Sequence, residues 1–328
     1  MATVTVTNVP ALFIRPEITF WLNDAAVNDI RSRVPRFGFN GLGEMVYYRT
    51  YSRIKEDGTK EEWADTVLRV INGIFRYWKN HLMTHHLAWD EEGMQAYATE
   101  MAIAMFEMEW MPPGRGMWAC GAPFVDWCGS AALNNCAFVS SEFDLADAAQ
   151  WAMQMLMYGV GVGYDTKWCK VMWRPCGDAV VTMVVPDSSQ GWALSVYRLI
   201  ASYYGDKPKV VFNYDEIREA GAPIKGFGGT ASGYKPLEKL HERVRQSLDD
   251  YVDGKYDSTR TVVDIMNSIG VCVVAGNVRR YVHTTPMQLY TQHHSLTSLT
   301  HTHHRHYHYI FPQVCMYFSR QCTRRNVS

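Results

Sequence analysis

A cysteine, two glycine-rich segments and a capped loop are the parts of this chain that could carry chemistry. Cys136 lies in Leu133-Asn134-Asn135-Cys136-Ala137-Phe138-Val139-Ser140, at the start of a short apolar run. A thiol at the exposed end of a strand can do redox work; the same residue turned inward is a small apolar filler. Cys120 and Cys128 stand eight residues apart with no CxxC pair, which gives little support for zinc. No metal site is expected.

Gly159-Val160-Gly161-Val162-Gly163 resembles a dinucleotide fingerprint only superficially, because a helix rather than a strand precedes it. Glycines alternating with valines suit a strand that lets a ligand or another backbone come close. Pro186-Asp187-Ser188-Ser189-Gln190-Gly191-Trp192 reads as a loop entering a helix. Asp187 or Ser188 can cap that helix, and the amides of its first turn could instead hold an anion. Lys225-Gly226-Phe227-Gly228-Gly229-Thr230-Ala231-Ser232-Gly233 has many unblocked amides, two hydroxyls and a lysine. Such a loop suits phosphate or base recognition, or is a plain connector. It is not a Walker A loop, since no Gly-Lys-Ser/Thr closes it.

The elements that must hold these segments follow from periodicity. Thr59 and Glu62 form a capping-box pair, and Trp63, Val67, Val70, Ile71, Ile74 and Trp78 follow at helical spacing. A second helix begins after Asp90, carries Met94, Tyr97, Met101 and Met105 as core filler, and stops before Pro112-Pro113. Beyond Gly114 the pattern alternates. A strand at 137–139 precedes a helix from Asp144 to Tyr158, with Leu145, Ala148, Ala152 and Met155 inward and Gly159 closing it. A strand at 180–185, a helix through Trp192 and Leu199, a strand at 210–212 and helices at 236–251 and 261–275 complete the series. Strands separated by helices predict a largely parallel α/β sheet or barrel.

Length and composition set the outer limits. The 328 residues, 47% of them apolar, are ample for a buried core. Thirty-two Lys+Arg against 33 Asp+Glu exclude a polybasic binder, so no nucleic-acid partner is expected. Eight cysteines are too sparse for a disulfide-stapled scaffold. No run long enough to cross a membrane and no secretory signal occurs, so the expectation is a cytoplasmic protein without a membrane partner.

Residues 281–328 are of another kind. They contain no Gly, Ala, Asp, Glu or Lys, and eight of the twelve histidines. Three readings stand for this tail: translation out of frame, a histidine-rich metal tail built on His301, His303, His304, His306 and His308, or a disordered extension.

Taken in order, the segments resemble the adenosylcobalamin-dependent (class II) ribonucleotide reductases of the monomeric ribonucleoside-triphosphate type. The resemblance rests on Val46-Tyr47-Tyr48-Arg49-Thr50-Tyr51-Ser52-Arg53, residues 133–140, Asp187 to Trp192, and Ala222-Pro223-Ile224-Lys225 running into the glycine loop. It rests also on Asp264-Ile265-Met266-Asn267 and on Ala275-Gly276-Asn277-Val278-Arg279-Arg280. It covers most of residues 40–280 and well under half of a full-length member.

The resemblance implies an α/β fold: a mainly helical region (1–113), then the first part of a ten-stranded α/β barrel (114–280), truncated before the aberrant tail (281–328). It implies that Cys136 is the first thiol of the pair that reduces the ribose, and that Asn135, Gly161 and Gly163 line the substrate cleft. Residues Lys225 to Gly233 would be the specificity loop that reports a deoxyribonucleoside triphosphate effector. The implied cofactor is adenosylcobalamin, with a site incomplete in this chain. The implied partners are a ribonucleoside triphosphate and thioredoxin or a similar dithiol. The thiyl cysteine, its glutamate and the second redox thiol would follow Arg280, where Tyr281 onward matches none of them; Cys315 and Cys322 lack their context. The fragment is therefore expected to be inactive alone. A non-catalytic nucleotide-binding fragment and a class I large subunit are the alternatives.

Overall fold

The computed structural model describes residues 17–275, apart from 56, 176–179, 206 and 223–229. They pack as two compact units that divide between Asn134 and Asn135.

The first unit is helical: α1 (Asp24–Ser32), α2 (Leu42–Thr50), α3 (Trp63–Thr84), α4 (Glu91–Phe106) and two short helices, α5 (Gly114–Ala119) and α6 (Pro123–Cys128). Trp63, Val67, Val70, Ile71 and Phe75 form the buried stripe of α3, and Met101 and Met105 of α4 fill the core against them. The capping box of α3 lies one turn later than the sequence predicts. Asp57 Oδ1 accepts both the amide (2.8 Å) and the hydroxyl (2.6 Å) of Thr59, which holds that residue in a turn. Glu62 is the N-cap instead, and its own N–H donates to Asp65 Oδ2 at 3.2 Å. Asp90 caps α4 as expected.

Residues 114–134 belong by contact to this unit rather than to the strands that follow, and two interactions explain why. The Arg69 guanidinium on α3 donates to the carbonyls of Cys120 and Met117. Gly121, at φ +75°, packs on Gly73 so closely that a Cβ on Gly73 would lie 2.5 Å from its Cα. Only glycine fits there. Arg69 is itself held by Glu61, a buried carboxylate that accepts its Nε at 2.6 Å and Nη2 at 3.0 Å. Burial would raise the Glu61 pKa, but the hydrogen bonds and charge of Arg69 hold it below the ordinary carboxylate value.

The second unit contains two strand–helix–strand repeats. In the first, β1 (Cys136–Val139), α7 (Leu145–Met157) and β2 (Gly161–Tyr164) bring β1 and β2 together in parallel. In the second, β3 (Val180–Val184), α8 (Ser189–Ala201) and β4 (Lys209–Asn213) do the same. Helices α9 (Lys235–Val252) and α10 (Ser258–Ala275) pack on each other, α9 against α8 and α10 against α7. The predicted parallel pairing is therefore present in both described sheets, each of two strands. Helix α7 shows how local sequence sets this geometry. Asp144 caps it by accepting from Ala146 and Asp147, and Leu145, Ala148, Ala152 and Met155 are buried. Gly159, at φ +78°, then reverses the chain into β2.

Candidate functional site

Asn135, Cys136, Gly161 and Gly163 are brought together by the β1–β2 pairing. The Gly161 amide donates to the Asn135 carbonyl at 2.8 Å, which sets Cys136 opposite Gly161 and Phe138 opposite Gly163. Strand alternation then sorts the side chains. Val162 and Tyr164 turn into the protein and are buried; Cys136 and Phe138 turn outward and are exposed. A Cβ on Gly161 would stand 3.9 Å from Cys136 Sγ, and one on Gly163 would stand 3.5 Å from the Phe138 ring. Both glycines thus lie on the outward face and leave it bare beside the thiol. This face therefore carries the Cys136 thiol and the Phe138 ring, with no side chain at Gly161 or Gly163.

The far end of this sheet is fixed by polar contacts. Ser141 donates its amide to Asp165 Oδ1 at 2.9 Å, and its hydroxyl lies 2.9 Å from the same oxygen and accepts from the Trp168 amide. Burial would raise the Asp165 pKa, yet hydrogen bonds from Ser140 and Ser141 keep it low. The carboxylate thereby ties the ends of β1 and β2.

The other cysteines differ in kind. Cys120, Cys128 and Cys272 are buried, and burial pushes the Cys120 and Cys272 thiols up to about 12 and raises Cys128 as well. Such thiols are poor nucleophiles. Among the described residues Cys136 and Cys169 are the exposed free cysteines. No group of three or more metal-ligating side chains occurs among the described residues.

Asp187 and Ser188 form a second cluster, after β3. Ser188 is the N-cap of α8, and its hydroxyl accepts the Gly191 amide at 3.0 Å. Asp187 pairs with Arg218 through Nε at 2.5 Å. Of the predicted glycine loop, Lys225, Gly226, Phe227, Gly228 and Gly229 lie outside the described residues. Thr230, Ala231, Ser232 and Gly233 lie within them and form its returning side. The Gly221 amide donates to the Ala231 carbonyl, and the Ala231 amide to the Ala222 carbonyl, both at 2.8 Å. Residues 276–328, which include the Gly276 to Arg280 segment and the tail, also lie outside the described residues.

One group was not foreseen. His241 on α9 is buried between Ser195 of α8 (2.8 Å from Nε2) and Tyr214 (2.8 Å from Nδ1), with its ring stacked on Phe212 at 3.9 Å. Burial lowers its pKa to about 3, so it is a neutral ring. Its partners are 46 and 27 residues away, and no local pattern announces them.

Comparison with known proteins bears on both clusters. Residues 22–122 match the family described as "Ribonucleotide reductase alpha domain", and residues 159–248 match "B12-dependent ribonucleotide reductase, insertion domain". The chain is 43% identical over 269 residues to an adenosylcobalamin-dependent ribonucleoside-triphosphate reductase of Euglena gracilis, covering 80% of this chain and 37% of that one. It is 39% identical over 292 residues to a probable adenosylcobalamin-dependent ribonucleoside-triphosphate reductase of Dictyostelium discoideum, covering 82% and 38%. A crystal structure titled as a B-12 dependent (class II) ribonucleotide reductase superposes with a TM-score of 0.67 at 25% identity, over 77% of this chain and 43% of that one. The chain thus spans less than two fifths of the length of these two curated relatives. No helix among the described residues is long and apolar enough to cross a membrane.

Proposed function

We propose that this chain, which belongs to the adenosylcobalamin-dependent (class II) ribonucleotide reductases, supplies the substrate-facing β1–β2 surface and one reducing thiol for the conversion of a ribonucleoside triphosphate to its deoxy form. The observation that carries this reading is Cys136, exposed at the edge of a surface kept bare by Gly161 and Gly163. The ribose lies over the two glycines, with Asn135 at its margin. Cys136 and a second thiol together give two electrons and two protons. The ribose carbon exchanges its 2′ hydroxyl for hydrogen, the hydroxyl leaves as water, and the two sulfurs join as a disulfide. That disulfide is returned to thiols by thioredoxin or a similar dithiol. Thr230 to Gly233, with Lys225 to Gly229, act as the specificity loop for a deoxyribonucleoside triphosphate, and Asp187-Ser188 as the neighbouring nucleotide segment. The strands that begin at Cys136 are read as the first part of a ten-stranded α/β barrel.

Adenosylcobalamin supplies, when bound, the radical that begins such a reaction. The described residues do not by themselves fit a corrin. Cys136 and Phe138 stand exposed on the face that would receive it. The class I large-subunit alternative is disfavoured by the match of residues 159–248 to a B12-dependent insertion domain. Turnover of any ribonucleotide by the purified 328-residue chain with adenosylcobalamin and a dithiol would exclude the alternative of a non-catalytic nucleotide-binding fragment. In a complete reductase, Cys136→Ser is expected to bind nucleotide and retain its thermal midpoint but to fail at multiple turnovers with a dithiol. Wild-type turnover in that variant would remove the redox role.

A further inference from the structure

The last turn of α3 carries histidines that packing does not explain. The chain there reads His81-Leu82-Met83-Thr84-His85-His86, and all three histidines are exposed. Position 86 is left-handed, at φ +56°, where a helix end favours glycine or asparagine. The backbone asks for an imidazole at none of the three.

That backbone is nevertheless fixed. His85 is the C-cap of α3, and its amide donates to the carbonyls of His81 at 3.1 Å and Leu82 at 3.2 Å. The His86 amide then donates to Met83 at 3.2 Å, and the Leu87 amide to Leu82 at 2.8 Å. These last two bonds are the pair that closes a helix on a left-handed residue, so the turn is pinned. His81 and His85 are thereby held one turn apart on one face of the helix.

Their rings lie together, with centroids 4.3 Å apart and 40° between their planes. The ring of His85 is also oriented. Its Nδ1 stands 2.8 Å from the His81 carbonyl oxygen, which can only accept, so Nδ1 carries the proton. In the neutral ring this leaves the lone pair on Nε2, the other nitrogen. A metal-binding imidazole ordinarily has its second nitrogen held in this way, by a carbonyl or a carboxylate. Two histidines at i and i+4 on one helical face are a recurring way to hold a metal. Imidazole nitrogens take such ions at about 2.0–2.1 Å, and rings this close can both reach a single ion.

We propose that His81 and His85 form a two-point chelate for one divalent ion of the copper, nickel and zinc group, with water completing its coordination. No group of three ligating side chains occurs among the described residues, so the site is an open one. Imidazole selects these ions over magnesium, which prefers oxygen. A bound ion staples the last turn of α3. The site is independent of the reductase chemistry.

Acylation by diethyl pyrocarbonate, read for each histidine by peptide mass spectrometry on the full 328-residue chain, tests it with Ni²⁺ as the probe. A ring bound to metal is not acylated. Ni²⁺ is expected to slow His81 and His85 together, about tenfold when free ion stands at ten times its dissociation constant. Mg²⁺ should leave both rates unchanged. A chelate makes a sharper demand: His85→Gln should return His81 to near its metal-free rate, and His81→Gln should do the same for His85. Both positions are exposed, so the thermal midpoints should stay near wild type. Hydrogen exchange gives a second reading, because a stapled turn protects the His85, His86 and Leu87 amides when Ni²⁺ is added to wild type, and in neither variant. Unchanged acylation of His81 and His85 at Ni²⁺ concentrations that protect the histidines of residues 281–328 would overturn the site. Protection of either histidine that survives loss of the other would overturn the chelate.

Discussion

Residues 17–134 and 135–275 use the same side-chain types to opposite ends. In the helical unit a cysteine is buried under the loop that covers α3, its thiol raised far above neutrality, and a carboxylate is sunk into an ion pair with Arg69. In the second unit a cysteine stands outward on a strand beside two glycines. Glycine divides in the same way. Gly73 and Gly121 are glycine because two backbones touch. Gly161 and Gly163 meet nothing closer than ordinary van der Waals contact, so their missing side chains leave room for something from outside. The lesson is that residue type does not report function until its surroundings are known. A bare surface without a packing reason is the feature to follow.

That contrast can be broken by substitution, and the largest effect belongs to the helical unit. Glu61→Ala leaves the half-buried Arg69 guanidinium with its carbonyl acceptors but no counter-charge, which costs about 3 kcal/mol, the low end for a broken buried pair. Hydrogen exchange resolved by peptide should show the loss across α3 and α5 while the second unit keeps its protection. Loss confined to the second unit would invert the assignment. Gly121→Ala comes next. Its Cβ would stand 2.0 Å from the Arg69 carbonyl oxygen at a φ of +75°, so a destabilisation of about 1–3 kcal/mol is expected from overpacking alone, measured by denaturant midpoint.

The second unit should respond to pH through His241. Its folded pKa of about 3 lies below the ordinary value of 6.5, so between those values the unfolded chain binds a proton that the folded chain refuses. Stability is therefore whole above about pH 6.5 and falls as pH drops toward 3, by at most about 1.4 kcal/mol per pH unit. His241→Gln should flatten this slope in residues 135–275. A slope unchanged by that substitution would mean that other groups carry it. The smallest effect on stability is expected at Gly161→Ala. The added methyl finds 3.5 Å to the Asn135 carbonyl and 3.9 Å to Cys136 Sγ, so the midpoint should barely move. Alkylation of Cys136 should nevertheless slow several-fold, because the methyl occupies the approach to sulfur. Unaltered alkylation would mean that the bare face is not the route to the thiol.

Much of this arrangement is legible in the sequence because it is local. Alternating Gly and Val announced β2, Asp144 and Gly159 bracketed α7, and the apolar stripe of α3 was visible from Trp63 to Ile71. The capping box of α3 was misplaced by one turn because Thr59 and Glu62 satisfy the same spacing as Glu62 and Asp65. The sequence does not say that Asp57 has already claimed Thr59. The Glu61–Arg69 pair, the Gly73–Gly121 contact and the Tyr214–His241–Ser195 chain were not foreseen, since each joins residues by packing rather than by pattern. Cys136 itself could be read either as filler or as a redox thiol; the strand pairing with Gly161 turns it outward.

The central claim is that Cys136 is a working thiol on a substrate surface, and its alkylation rate tests that most directly. Labelling each cysteine of the chain by mass spectrometry, with and without a ribonucleoside triphosphate, gives one rate per thiol. The expected result is rapid labelling of Cys136 and Cys169, slow labelling of Cys120, Cys128 and Cys272, and nucleotide protection at Cys136 but not at Cys169. Equal Cys136 rates with and without nucleotide, at concentrations that saturate binding, would contradict the account.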